Sequence, residues 1–151
     1  PRSSEHRSLR SRLTPLRGVA QLEHVMPLME EEMLTEDKAR NLAAHWIQAW
    51  NSHDLDEIMS HYGEGVVLVS PVAAKILNDP SGTVKGKDAL RAYFKKGLEV
   101  YPNLKFDLLD VMWGLSSVVL YYVNQKGTKT GEFMEIDSKD KVIRVVANYS
   151  G

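Results

Sequence analysis

The residues best placed to do chemistry lie near the end of the chain, in "GEFMEIDSKDKVIRVVANYS", Gly131 to Ser150. If Lys139 and Asp140 form a two-residue turn, Ser138 pairs with Lys141 and the ladder sets Glu135 across from Arg144. Phe133, Val146 and Asn148 then share that face, while Met134, Ile136, Ile143, Val145 and Ala147 make the other one apolar. A carboxylate in a hairpin that can be covered on both sides is either paired or functional. On the functional reading, Glu135 is a general acid/base or water-activating group, Arg144 orients it, and Asn148 donates a hydrogen bond to substrate. The bland alternative is a cross-strand ion pair at a pocket rim, and a neighbouring Arg would lower the carboxyl pKa and weaken it as a base. A one-residue change in turn length would reverse the facing of every one of these side chains.

Other candidate groups carry less. His45, His53 and His61 do not form a partner set with metal-ligand spacing, so no metal and no other cofactor is expected. The run "NSHDLD" has oxygen-bearing side chains but lacks the Gly and distal Glu of a calcium loop, and reads as a helix cap. Asp107 and Asp110 alternate out of phase on a strand, so only one of them can face a pocket. The chain has no cysteine, which removes disulfides and thiolate chemistry.

These side chains must be held by an α+β scaffold. Thr35 is a plausible N-cap for a helix with Ala39, Leu42, Ala43, Trp46, Ile47 and Trp50 on one apolar stripe. Asp54 caps a shorter helix with Leu55, Ile58, Met59 and Tyr62 inward and Gly63 at its end. The strand "VVLVSP" leads into an irregular loop, Val72 to Lys85, rich in Asn, Asp, Pro, Ser and Gly. A third helix, Lys87 to about Val100, turns Ala89, Leu90, Tyr93, Phe94 and Leu98 inward. The remainder reads as four strands, "LKFDLLDVMW", "SSVVLYYVN", "GEFMEIDS" and "KVIRVVANYS", separated by hairpin-length turns. Helices first and an antiparallel meander afterwards is an α+β order.

At 151 residues, 43% hydrophobic and 26% charged with a formal net charge of -1, the chain is an ordinary globular domain with no sign of a nucleic-acid or membrane partner. No apolar run reaches the length needed to span a bilayer, and a cytoplasmic location is expected. Residues 1–34 are set apart as an extension and 35–151 as the domain. The Arg- and Ser-rich start, "PRSSEHRSLRSRLTPLRG", is a targeting or basic arm, or sequence upstream of an initiator at Met26, Met29 or Met33. Between Val19 and Leu34, Pro27 interrupts any helix.

Taken together, "HWIQAWNSHDLDEIMSHYGEGVVLVSP", "GKDALRAYFKKGLEVYPNLKFDLLDV" and the last hairpin resemble the SnoaL-like polyketide cyclases of the nuclear transport factor 2-like superfamily, over about Glu36 to Ser150. The resemblance implies a cone-shaped α+β barrel: a curved, mostly antiparallel sheet, helices in its concave face, one deep pocket, and a homodimer through the outer face. It implies Trp46, Val67, Val69, Leu120, Tyr122 and Phe133 as pocket residues contacting a small apolar organic molecule. In the ketosteroid isomerases of the superfamily, the residue before the strand-ending proline is a proton-shuttling Asp; here it is Ser70, and an oxyanion-binding Tyr is replaced by Trp46. That isomerase type is therefore not expected. Alignment with the limonene epoxide hydrolases puts Glu135 and Asn148 at two carboxylate positions and Phe133 where an Arg stands. The implied function is a cofactor-independent cyclase, hydrolase, isomerase or dehydratase using acid/base chemistry, or a non-catalytic ligand-binding or dimerisation module of the same fold.

Overall fold

A computed structural model describes residues 34–151. The Arg- and Ser-rich start and the interrupted lead-in before Leu34 lie outside the described residues. Ten elements follow in order: α1 (Glu36–Asn51), α2 (Leu55–Met59), β1 (Tyr62–Val69), α3 (Pro71–Leu77), β2 (Thr83–Lys85), α4 (Lys87–Val100), β3 (Asp107–Trp113), β4 (Ser117–Val123), β5 (Lys129–Ile136) and β6 (Val142–Tyr149). The strands make a six-stranded sheet in the order β2-β1-β6-β5-β4-β3, with only β1 and β6 parallel.

The helix starts follow from local chemistry. Thr35 accepts from the Lys38 N–H at 3.3 Å, and Glu36 and Asp37 sit at the positive end of the α1 dipole. Asp54 caps α2 through the Glu57 N–H at 3.2 Å. That helix stops at Met59, so Tyr62, expected at its end, is instead the buried first residue of β1, and Gly63 belongs to the strand.

The stretch expected as an irregular loop, Val72 to Lys85, contains α3 and β2. Ser70 is the N-cap of α3, accepting from the Val72 N–H at 3.1 Å, and Pro71 takes the first helical turn, where its missing N–H costs nothing. Asn78 ends α3 in the left-handed conformation. Ser-Pro stops a strand and starts a helix with the same two residues. Gly82 then turns the chain at φ +57, where a Cβ would collide with the Ser70 carbonyl.

Register divides the sheet into two faces of different character. Toward the helices, Leu68, Val145, Met134 and Val118 form one cross-strand row, and Ala147, Glu132 and Leu120 form the next. Tyr149, Thr130 and Tyr122 follow, one step along the strands. Ala39, Ala43, Trp46 and Trp50 of α1 with Leu90 and Phe94 of α4 close the core over these rows. On the outer face Val69, Val146, Phe133, Val119 and Met112 stand in a single apolar row across five strands.

Asn51, just past the α1 stripe, clamps the segment before β3. Its amide donates to the Phe106 carbonyl at 2.9 Å and its carbonyl accepts from the Phe106 N–H at 2.7 Å. His53 Nε2 donates to the Leu104 carbonyl at 2.8 Å. These contacts satisfy backbone groups of a non-strand segment and hold Phe106 against Trp46 and Tyr122.

Candidate active site on the inner face

A cavity of about 290 Å³ opens between the inner sheet face, α1, α3 and α4. Its walls are mostly aromatic and aliphatic: Trp46, Trp50, Leu68, Ile76, Tyr93, Phe94, Tyr101, Phe106 and Tyr122. Polar groups enter from Ser70, Asn124, Gln125, Thr128, Glu132 and Tyr149. An apolar wall with a few converging polar groups is the composition of a small-molecule site.

Glu132 is the carboxylate of this cavity. It is 7% exposed, at the centre of the inner face between Leu120 and Ala147. The Tyr122 hydroxyl donates to its Oε2 at 2.8 Å. Among the described residues no Lys, Arg or His forms an ion pair with it. Burial without a cation penalises the charged form and pushes the Glu132 pKa up to about 7, against the smaller opposing effect of the Tyr122 hydrogen bond. Burial, and then the charge of Glu132, raise the Tyr122 phenol well above its ordinary value. Tyr93 is likewise raised by burial first, with the neighbouring Ser70 hydroxyl acting the other way. The site therefore combines a carboxyl poised to change charge near neutrality with phenols that stay protonated as hydrogen-bond donors.

A second polar network fixes the cavity rim. Asn124, buried in the β4–β5 turn, donates to Thr128 Oγ1 at 2.9 Å and to Thr130 Oγ1 at 3.0 Å. Its carbonyl accepts from the Lys126 N–H at 3.0 Å. Deeper in, Trp46 Nε1 donates to the Tyr62 hydroxyl at 2.9 Å, so its indole hydrogen is already engaged. Gln125 Oε1, on a cavity-lining residue, is buried without a hydrogen-bond partner among the described residues.

The expected trio of Glu135, Arg144 and Asn148 does not reach this cavity. The register does set Glu135 across from Arg144, because a loop closed by the Asp137 N–H and the Lys141 carbonyl adds one residue and a bulge before Ile136 removes it. All three side chains stand on the outer face. Glu135 is 40% and Arg144 57% exposed, with 4.0 Å between their closest charged atoms, and Asn148 bonds back to the Gly131 and Val146 carbonyls. Val67, Val69 and Phe133, expected as cavity walls, are on the outer face as well. Trp46 and Tyr122 line the cavity, and Leu120 is inward but buried in the core beside it. The outward set follows from parity: odd-numbered residues of β5 are half-buried or exposed, and even-numbered ones are buried.

Glu132 was missed although the sequence held its signal. Met134 and Ile136 pair with Val145 and Val142 on the more aliphatic face of the hairpin, and Glu132 shares their parity. Ser70 is a helix cap, its hydroxyl accepting from the Val72 N–H. Neither Asp107 nor Asp110 lines the cavity. Among the described residues no group of three His, Asp or Glu side chains could hold a metal ion, and no helix is long and apolar enough to cross a membrane.

The SnoaL-like domain model matches residues 43–147. A SnoaL-like protein of unknown function from Burkholderia thailandensis is similar over 78% of this chain and 99% of its own, with 34% identity and a TM-score of 0.74. A protein of unknown function with a cystatin-like fold from Methylobium petroleophilum has 10% identity and a TM-score of 0.63, over 79% and 80% of the two chains. The epoxide hydrolase/cyclase-like enzyme SalBIII, which takes part in pyran ring formation in the polyether salinomycin, has 16% identity and a TM-score of 0.59, over 76% and 92%. No curated protein matches the chain. On the domain match and the Burkholderia relative, the chain belongs to the SnoaL-like family.

Proposed function

We propose that the inner cavity binds a small, mostly apolar organic molecule and that Glu132 moves a proton to and from it, with no cofactor beyond the chain's own side chains. The observation that carries this reading is a buried carboxyl on the cavity wall, held by one phenol and, among the described residues, by no cation. In its protonated form Glu132 gives a proton to a substrate oxygen, such as an epoxide or carbonyl, as that oxygen gains charge. In its ionised form it takes one from an attacking hydroxyl, from water or from carbon. Tyr122 stabilises the ionised carboxylate between the two steps. Such chemistry covers cyclase, hydrolase and dehydratase reactions, and the cyclase-like structural neighbour is consistent with it. The ketosteroid-isomerase type is not part of the proposal, since Ser70 is occupied in capping α3.

A panel of small epoxides and ketones offered to wild type, Glu132→Gln and Glu135→Gln tests the assignment. Binding is followed through the fluorescence of Trp46 and Trp50. Turnover found in wild type should fall roughly 100-fold or more in Glu132→Gln, with Kd changed by less than about threefold. Undiminished turnover in that variant would overturn the assignment of Glu132, whereas binding without turnover of any panel member would leave the non-catalytic ligand-binding reading of the same cavity.

The outer row of Val69, Val146, Phe133, Val119 and Met112 supports a homodimer through the sheet. Phe133→Asp should give a monomer in light scattering, and an unchanged mass would place any self-association elsewhere.

A further inference from the structure

The ionisable groups around the cavity are arranged by depth. The carboxyl, Glu132, is buried, whereas the two cations among the lining residues, Lys75 and Lys126, are both exposed. Neither lysine has an ion-pair partner among the described residues. They arrive from different elements: Lys75 from the last turn of α3, Lys126 from the β4–β5 turn. Lys126 is held in place by the Asn124 network beneath it and by the Tyr101 ring, with its Nζ 5.7 Å from the ring centroid. Next to Lys126 in the same turn, the Gln125 Oε1 is buried without a donor among the described residues. A lysine on a fixed turn above an aromatic ring loses little further freedom on meeting an anion.

Resting on the reading of the cavity as a small-molecule site, we propose that its ligand is a small organic acid. The apolar body packs among Trp50, Phe94 and Phe106, the reacting oxygen lies at Glu132, and the carboxylate stays at the mouth between Lys75 and Lys126. A neutral molecule of the same skeleton leaves two cations unanswered at the entrance. One with the anion at the reacting end would set a carboxylate against Glu132, which has no ion-pair partner among the described residues. The charge gradient therefore selects both the class of molecule and its orientation.

The test compares 4-phenylbutanoate with 4-phenylbutan-1-ol, which share a carbon skeleton, by titration calorimetry against wild type, Lys75→Gln/Lys126→Gln and Glu132→Gln. The acid should bind wild type roughly 5- to 20-fold more tightly than the alcohol at low ionic strength, and the advantage should shrink as salt is added. It should vanish in the double lysine variant, with the alcohol's affinity unchanged, and persist in Glu132→Gln. Equal binding of acid and alcohol, or a preference that survives the double variant, overturns the proposal and leaves the cavity reading standing. Failure of both probes to bind overturns the two together. Undiminished turnover in Glu132→Gln would remove only the catalytic role.

Discussion

Two glutamates three residues apart on β5 live in opposite electrostatic worlds. Glu135 is on the outer face, partly exposed, 4.0 Å from Arg144 and free to hydrate. Glu132 is on the inner face, buried, with a phenol as its hydrogen-bond partner and no ion-paired cation among the described residues. Water and an arginine surround the first, whereas removal of water without a compensating charge makes the second a weak acid near neutrality. The residue type is identical, so the side of the sheet decides what it can do.

The largest difference between the two should appear in turnover. Glu132→Gln is expected to lose about 100- to 10,000-fold in kcat/KM and Glu135→Gln less than about twofold. A reversed order would place the chemistry on the outer face. The same sidedness governs packing along β4. Leu120→Ala, in the fully buried core, should cost about 2–5 kcal/mol in urea unfolding, and Val119→Ala on the outer face about 1 kcal/mol or less. Equal losses would mean that the outer row is as well buried as the inner one.

The pH dependence of stability comes next in size. The folded Glu132 pKa of about 7 lies above its ordinary 4.5, so between those values the folded chain binds the proton more tightly than the unfolded one. Glu132 therefore removes stability as pH rises through that window, on the order of 3 kcal/mol from the raised pKa. Chemical denaturation at pH 5 and pH 8 should show that decline in wild type and in Glu135→Gln, and a flatter profile in Glu132→Gln. Parallel profiles in all three would contradict the burial argument. The smallest effect belongs to Tyr122→Phe. It removes the hydrogen bond that favours ionised Glu132, costing about 1 kcal/mol and moving the carboxyl titration further upward. A downward movement would mean that the phenol had been favouring the neutral acid.

Much of the fold was legible because it rests on local rules. Thr35 and Asp54 announce their helices, the α1 stripe names Trp46 and Trp50 as core, and the last hairpin pairs Glu135 with Arg144. The site was less legible. Strand periodicity separates two faces without saying which one meets the helices, and here both faces of the hairpin are apolar. Phe133 and Val146 looked as suited to a cavity as Met134 and Val145. The choice is made by α1 and α4, which share the core with Met134 and Val145, and that contact lies far away in sequence. Ser70 hid its role for another reason: Ser-Pro is both a strand stop and a helix start, and the following residues decide between them.

The most direct test is a titration of Glu132 itself, with carbon-13 at the glutamate carboxyls followed by NMR and the signal assigned by its loss in Glu132→Gln. A midpoint near 7 that is retained in Glu135→Gln is the expected result. A midpoint in the ordinary glutamate range, about 4 to 4.5, would contradict a buried, cation-free carboxyl and with it the assignment of the inner face as the reactive one.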